Sequence, residues 1–448
     1  MRADGTTAER ERQEATNLCS RRFNPVPSMK QYDRLYDLYE NYDTDGLRAR
    51  QDLADLFPLV ESSVALDRWR EINEEINEGK AEIEADFPEV GGMLAELATR
   101  ARREQAFTGL DLYNKYGRAV NAFVLDVDET LRSTGSTDNE IPNDTLNLLS
   151  KFHDEGVPIV ICTGQTLENV KGFAIQGLGS EIVHSGNLGI VYETGTGVFA
   201  PGHGAQTKQL LYERLDDEIQ SVFDDVRSRV LSEAPERLRR GCHLQGNEFN
   251  ITMKPNFDTG STAAEDVIDE ALVYEIDLLA DAVSSLDRFE TTDGESVTAW
   301  TRAYYAEQDP EIHSVLEDEE ALPTVSAAEV PAELEDVLGR IDMGYYEGDA
   351  AEIGSLELSK VVGVEAAFEV LGIEDPFAIV MGDSKSDLRV MRWVQENDAG
   401  IAAAPEHASQ VVVEHAETTD GLVFEQGRAG NVLRTVYALN RFAEAGTS

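Results

Sequence analysis

Short, uninterrupted apolar runs that alternate with helical stretches constrain the fold of this chain most strongly. Residues 122–125, 157–162 and 377–381 are such runs, and helical patterns follow them at about 142–154, 166–176 and 387–396. Strands that are apolar throughout must be covered on both faces, as in a parallel sheet flanked by helices. The pattern therefore predicts an α/β fold. Further strands are expected at 181–184, 399–402 and 411–413, and further helices at 359–371 and 429–443.

Polar residues follow each of the three apolar runs directly. Asp126 and Asp128 follow the first run, Thr163 and Gly164 the second, and Asp383 the third. Ligands of open parallel sheets bind outside the carboxyl ends of the strands, so these groups are expected to converge. A set of carboxylates without Cys or His favours Mg²⁺, which commonly shares phosphate oxygens with a substrate. A carboxylate beside such a metal can attack phosphorus, and a second carboxylate can move protons.

Four motifs in this order resemble the haloacid dehalogenase (HAD) superfamily of phosphatases. They are Asp126-Val-Asp128-Glu-Thr130, Thr163-Gly164, Lys360 at a helix start, and Gly382-Asp383-Ser-Lys-Ser-Asp387. The resemblance implies a Rossmann-like core. The first two motifs lie too close together to hold a cap, whereas a long segment separates the second from the third. This spacing is similar to that of the type-2 cap, sugar-phosphatase-like subfamily.

The resemblance also implies a role for each motif residue. Asp126 would be the nucleophile and a metal ligand, and Asp128 the general acid/base with its backbone carbonyl on Mg²⁺. Thr163 and Gly164 would hold the phosphoryl group, and Lys360 would neutralise its charge. Asp383 and Asp387 would complete the metal site. Two positions depart from the pattern: Glu129 stands where Gly is usual, and Ser386 stands where Asn is common.

The expected activity is Mg²⁺-dependent hydrolysis of a small phosphomonoester, such as a sugar phosphate, through an aspartyl-phosphate. Two alternatives stay open. A phosphomutase of the same superfamily would return the phosphoryl group to a sugar. A non-catalytic regulatory or binding protein would instead rely on the N-terminal helical segment.

Composition shifts divide the chain into four parts. Residues 1–28 lack apolar periodicity and are expected to be disordered, and Met29 is a second candidate translation start. Residues 29–118 form a helical extension of unknown role, through which a homo-oligomer could assemble. Residues 119–205 and 348–448 form the catalytic core, and 206–347 an inserted α+β cap. Stretches 243–256 and 296–305, both predicted to contain strands, supply candidate substrate contacts: Asn247, Asn250, Lys254, Arg302 and Tyr304.

The charge is strongly one-sided, with 38 Lys and Arg against 86 Asp and Glu, for a net −48. Only 9 of the cations are Lys, and the acidity is spread along the chain. Such a surface argues against nucleic-acid and anionic-membrane partners, because both need basic contacts. It is typical of a salt-adapted protein. Three cysteines without a CxxC pair, together with the absence of a secretory h-region or an 18-residue apolar run, favour a cytoplasmic location.

Overall fold

The computed structural model describes residues 29–56, 63–132, 141–257, 259–289 and 292–447. The disorder predicted for residues 1–28 therefore lies outside the described residues. The chain divides into two compact units. The first contains the described residues up to 120, residues 143–148 and residues 428–447, and the second contains the described residues of 121–142 and 149–427.

In chain order, the described helices are α1 (Met29–Asn41), α2 (Thr44–Leu56), α3 (Ser63–Asp86), α4 (Gly91–Arg100), α5 (Arg103–Tyr116), α6 (Asn143–Asp154), α7 (Leu167–Gly177), α8 (Gly179–Val183), α9 (Asp217–Arg229), α10 (Glu236–Gly241), α11 (Ser261–Ser284), α12 (Gly294–Gln308), α13 (Pro310–Asp318), α14 (Ala332–Leu338), α15 (Lys360–Leu371), α16 (Lys385–Glu396), α17 (Gln410–Thr418) and α18 (Ala429–Thr447).

The strands form two sheets, both in the second unit. They are β1 (Ala122–Leu125), β2 (Ile159–Cys162), β3 (Leu188–Tyr192), β4 (Gly197–Phe199), β5 (Gln209–Leu210), β6 (Cys242–Leu244), β7 (Ile251–Pro255), β8 (Ile341–Tyr346), β9 (Ala350–Ser355), β10 (Ala378–Met381), β11 (Gly400–Pro405) and β12 (Leu422–Phe424).

The larger sheet has the order β12-β11-β10-β1-β2-β3-β4-β5. It is parallel from β12 to β3, and β4 and β5 add an antiparallel edge. Strands β1, β2 and β10 are buried along their whole length, as their apolar sequences require. The predicted α/β fold with a parallel core sheet is confirmed.

The smaller sheet, β6-β7-β9-β8, is antiparallel and lies in the segment inserted between β5 and α15. The buried face of the long helix α11 packs against it through residues such as Ile268, Leu272 and Ile276. Strand β9 runs to Ser355 and pairs with β7 and β8. The inserted α+β segment thus extends past the expected boundary at residue 347.

The first unit is helical, as predicted for residues 29–118. Its core contains Leu35, Ile83, Leu94 and Leu110, and α18 contributes Phe442 to the same cluster. Helices α5 and α18 approach closely at Gly109, where a Cβ would lie 2.7 Å from the Cβ of Ala438. The C-terminal helix therefore belongs to this unit, although its sequence was expected to form part of the catalytic core.

Three strand predictions were wrong, because each fell on a helix. Residues 296–305 lie in α12, where the Asp293 carboxylate accepts the Ser296 backbone N–H and so caps the helix. Val297, Thr301 and Tyr305 are buried at a spacing of four residues. This helical face overrides the strand preference of its β-branched and aromatic residues.

The other two errors have similar causes. Residues 411–413 lie in α17, where Val412 is buried and Val411 exposed, as on one side of a helix. Residues 181–184 end the short helix α8, and the third strand begins only at Leu188. Between them the chain turns at Gly186, whose φ of 92° favours glycine. None of the described helices is long and apolar enough to cross a membrane.

Candidate active site

The polar residues that follow β1, β2 and β10 meet at one edge of the larger sheet. Strand β1 lies between β2 and β10, with Leu125 in register with Met381. The backbone N–H of Asp126 continues this ladder by donating to the Met381 carbonyl at 2.9 Å. The parallel topology therefore brings the two aspartate motifs side by side at the carboxyl ends of their strands.

Lys360 is the cation at the centre of this site. Its Nζ lies 3.0 Å from Oδ1 of Asp126 and 2.6 Å from Oδ1 of Asp387. The Lys360 side chain is only 3% exposed, and the two carboxylates are nearly as buried. Burial opposes the charge on Lys360, but the attraction of both aspartates outweighs it and raises the pKa of Lys360 well above its usual range. The ammonium is therefore held charged inside the protein.

Asp126, Asp383 and Asp387 form a carboxylate cluster, in which one oxygen of each residue lies within 4.8 Å of the others. Burial raises the pKa of Asp383 to about 6, and repulsion from Asp387 adds to the shift. Burial likewise raises the pKa of Asp126, despite its contact with Lys360. Three acids around one ammonium leave an excess of negative charge that a divalent cation would offset. The all-oxygen donor set suits Mg²⁺.

The cluster is held in place by the start of α16. Ser384 caps this helix, and the Asp387 Oδ2 accepts both its backbone N–H at 3.1 Å and its hydroxyl at 2.6 Å. This reciprocal arrangement is a capping box, in which the side chain of each residue accepts a hydrogen bond from the backbone N–H of the other. The Ser386 hydroxyl lies 2.8 Å from that of Ser384. Asp387 is thus fixed on one oxygen by the helix and on the other by Lys360.

Asp128 is placed differently from the other motif aspartates. Arg132 donates to its Oδ1 from Nε at 2.9 Å and from a terminal nitrogen at 2.7 Å, while Gln165 donates to Oδ2. Its carboxylate is about one-third exposed and lies outside the carboxylate cluster. Asp128 is therefore positioned by its own partners, outside the carboxylate cluster, and lines the same cavity.

Thr163 and Gly164 form the turn that leaves β2. Thr163 is buried, and its hydroxyl accepts the Gln165 backbone N–H at 3.2 Å. Its carbonyl accepts the backbone N–H of Thr194 at 3.1 Å. Thr163 and Gly164 line the same cavity as Asp126 and Lys360, so the structure brings all seven predicted site residues to one place.

Glu129 adopts a left-handed backbone conformation, with φ of 57°. This region is unfavourable for residues with a Cβ and readily populated by glycine, the residue that the sequence resemblance led us to expect at this position. The Glu129 carboxylate accepts from Gln426 at 3.2 Å and lies 3.5 Å from the His407 ring. These contacts hold the loop in the conformation that a glycine would adopt more easily.

The inserted segment supplies the other wall of the cavity, which measures about 310 Å³. Its contribution is polar: Gln245, Thr252, Lys254, Tyr346, Asp349 and Glu352. Lys254 lies 3.1 Å from Asp349, and Glu352 accepts the Thr252 hydroxyl at 2.5 Å. Burial raises the pKa of Glu352 to about 7.

Polar contacts tie the inserted segment to the core around this cavity. The Glu193 carboxylate, just after β3, accepts the backbone N–H groups of Glu248 at 2.6 Å and Phe249 at 3.1 Å. Lys385 reaches Asp309 and Glu311 at the start of α13, at 3.3 and 2.9 Å. These contacts therefore hold the inserted segment over the carboxyl ends of the strands.

Among the five candidate cap contacts, Lys254 lines the cavity. Arg302 instead pairs with Asp277 at 2.6 Å, and Tyr304 packs edge-on against Tyr305 within α12. Asn247 and Asn250 are buried beside the cavity, where each contacts a wall residue: Thr252 for Asn247 and Glu352 for Asn250. Sequence reasoning missed Glu352 and Asp349, since acidic residues carry little signal in so acidic a chain. Arg132 could have been predicted from the sequence as a partner of Asp128, because it is a cation only four residues after that aspartate.

Comparisons with known proteins give structural similarity without sequence similarity. No family model matches, and no curated protein matches. Solved structures that match include a Thermoplasma acidophilum protein (12% identity, TM-score 0.40, 72% of this chain and 100% of that chain). A haloacid dehalogenase-like hydrolase from Bacteroides thetaiotaomicron also matches, with 16% identity and a TM-score of 0.40 over 71% of this chain and 98% of that chain. A HAD superfamily phosphatase from the same organism matches with 15% identity and a TM-score of 0.40 over 72% of this chain and 96% of that chain. Similarity at this level gives no ground for transferring a substrate.

The Lys360 environment predicts a large loss of stability when the buried ammonium is removed. Lys360→Met leaves Asp126 and Asp387 buried without their cation, which should cost about 3–5 kcal/mol in the free energy of unfolding. Lys385→Met is a matched control, because Lys385 also contacts two carboxylates but is 56% exposed, so the cost should stay below about 1 kcal/mol. Urea denaturation in EDTA measures both. Equal losses would contradict the assignment of Lys360 as the buried counter-charge.

Proposed function

We propose that this protein is a Mg²⁺-dependent phosphatase that hydrolyses a small phosphomonoester through an aspartyl-phosphate. The observation that carries the proposal is the cluster of Asp126, Asp383 and Asp387, two of which, Asp126 and Asp387, contact the buried Lys360. Thr163 and Gly164 line the same cavity. Three acids favour a divalent cation, and the lysine and the turn supply cationic and hydrogen-bonding groups for phosphate oxygens. Bound Mg²⁺ would lower the negative charge on the transferring phosphoryl group.

The reaction is a double displacement. An Asp126 oxygen attacks phosphorus, the bond between phosphorus and the ester oxygen breaks, and the alcohol leaves with a proton from Asp128. Asp128 then takes a proton from water, the hydroxide oxygen attacks phosphorus, and the bond to Asp126 breaks to release inorganic phosphate. Lys360 stays charged throughout and stabilises charge on Asp126 and on the phosphoryl group. Arg132 and Gln165 position Asp128 for the proton transfers.

The cavity wall supports a polar, weakly charged leaving group. On the side of the inserted segment, the cavity is lined by Asp349, its partner Lys254, and Glu352. The cation that the inserted segment contributes to this wall, Lys254, is already paired with Asp349, which disfavours a second phosphate on the substrate, as in nucleoside polyphosphates. The Asp349 and Glu352 side chains line the same wall. Their oxygens would accept hydrogen bonds from hydroxyl groups. A sugar phosphate or a similar polyol phosphate fits this chemistry best.

A phosphomutase is the second candidate. The two activities share Asp126, Asp128 and Lys360 and differ in the final acceptor, which is water in one and a sugar hydroxyl in the other. The contacts of Lys385 and Glu193 with the inserted segment would exclude bulk water only while that segment is closed. A phosphatase needs one water at the aspartyl-phosphate, which the polar cavity can admit.

We expect Asp126→Asn to lower phosphatase activity by at least about a thousandfold, because the amide cannot attack phosphorus. The assay is release of inorganic phosphate from an aryl phosphate in high KCl with Mg²⁺, and EDTA should abolish it reversibly. Asp224→Asn makes the same charge change at an exposed residue of α9 and should leave the rate unchanged. Full activity in the Asp126 variant would refute the nucleophile. Transfer of phosphate to an added sugar, without release, would favour the mutase.

We also propose that the acidic surface is an adaptation to salt. The 86 acidic residues outnumber the 38 basic residues, so the negative charges of the surface repel one another. KCl weakens this repulsion, because it shortens the screening length from about 10 Å at 0.1 M to about 3 Å at 1 M. The melting temperature should therefore rise between about 0.1 and 2 M KCl, as followed by circular dichroism. NaCl serves as a control because it matches KCl in chloride and ionic strength. A melting temperature that stays flat across both series would exclude this adaptation.

A further inference from the structure

A second cavity, of about 280 Å³, lies in the first unit and is lined by five arginines. They are Arg48, Arg100, Arg102, Arg428 and Arg434. Three acids, Asp52, Asp55 and Asp144, also line it, so the wall carries a net charge of about +2. In a chain with a net charge of −48, this is a local reversal of sign.

Three of the arginines are fixed in the wall by partners. Arg434 is 8% exposed and lies 2.9 Å from Asp52, and it donates to the Arg100 carbonyl at 2.7 Å. Arg100 is 12% exposed and lies 2.8 Å from Asp55, while its buried Nε has no hydrogen-bond partner. Arg48 donates to the Ala101 carbonyl at 3.2 Å. These contacts hold three guanidinium groups in fixed positions in the wall.

The other two arginines are exposed at its mouth. Within the described residues, neither Arg102 nor Arg428 makes an ion pair. Their guanidinium groups could therefore bind a ligand without first breaking an ion pair, and guanidinium is well matched to phosphate and carboxylate oxygens.

Helix starts surround the same cavity. Arg102 is the residue before α5, Arg428 the residue before α18, and Asp144 and Asn147 lie near the start of α6. The first backbone N–H groups of a helix lack partners within it and carry partial positive charge. Together with the arginines, they make this part of the unit favourable for anions.

We propose that this cavity binds a small oxyanion of the phosphate class, with two or more negative charges. Arg102 and Arg428 would contact the ligand, and Arg100 and Arg434 would form the fixed wall behind it. A cavity of this size exceeds the roughly 30 Å³ that one water occupies in the liquid, so it has room for such an anion. The site is separate from the carboxylate cluster and does not depend on the proposed phosphatase activity.

The test is calorimetric titration of the full chain with inorganic pyrophosphate, in EDTA and at constant KCl. Without a divalent cation, the carboxylate cluster at Lys360 repels anions, so binding there does not contribute. We expect one site per chain. The double variant Arg102→Gln/Arg428→Gln should bind at least about tenfold more weakly, because two charge-assisted contacts are lost.

The control is Arg68→Gln/Arg70→Gln, which makes the same charge change on the exposed face of α3. It should bind pyrophosphate as the unmodified chain does, and both variants should keep the same circular dichroism spectrum. A parallel titration with a sugar phosphate distinguishes an inorganic anion from a phosphorylated metabolite as the tighter ligand. Absence of binding to the unmodified chain, or an equal loss in both variants, would overturn the proposal and assign the arginines a purely structural role.

Discussion

The buried ammonium of Lys360, held between Asp126 and Asp387, is the interaction on which the site depends. Taking a carboxylate out of water is costly, and two of them this close would repel each other strongly. One lysine compensates for part of that cost and leaves the rest to a divalent cation. The chain thus carries a site that is electrostatically incomplete without ligands. A binding site must keep some of its interactions unsatisfied in this way.

The two sheets explain how such a site is both rigid and selective. The parallel sheet fixes Asp126 and Asp383 through strand register, and helix capping fixes Asp387. The inserted segment adds polar side chains to the same cavity, including Glu352 and Asp349. The reacting groups therefore lie on rigid strand ends, whereas the groups that would set specificity lie on an element that can vary independently.

The sequence predicted the core well, because apolar strands and their polar ends obey local rules. Asp126, Thr163 and Asp383 could be placed from strand ends alone. The α/β class followed from the same runs. Prediction failed where tertiary packing overrode local preference: residues 296–305 have strand propensity, yet a capped helix buries Val297 and Tyr305 on one face. It also could not place α18 in the first unit, since that depends on close packing at Gly109. The arginine cavity was equally invisible, because its residues come from four distant stretches of chain.

The central claim is that Asp126 becomes covalently phosphorylated. The most direct measurement is mass spectrometry of acid-quenched protein taken within the first turnovers of an aryl phosphate with Mg²⁺, followed by peptide mapping. We expect one phosphoryl group on the peptide that contains Asp126, located on that side chain and lost when the reaction runs to completion before the quench. Turnover at the same rate with no phosphoryl group on Asp126, or with the group on another residue, would contradict it.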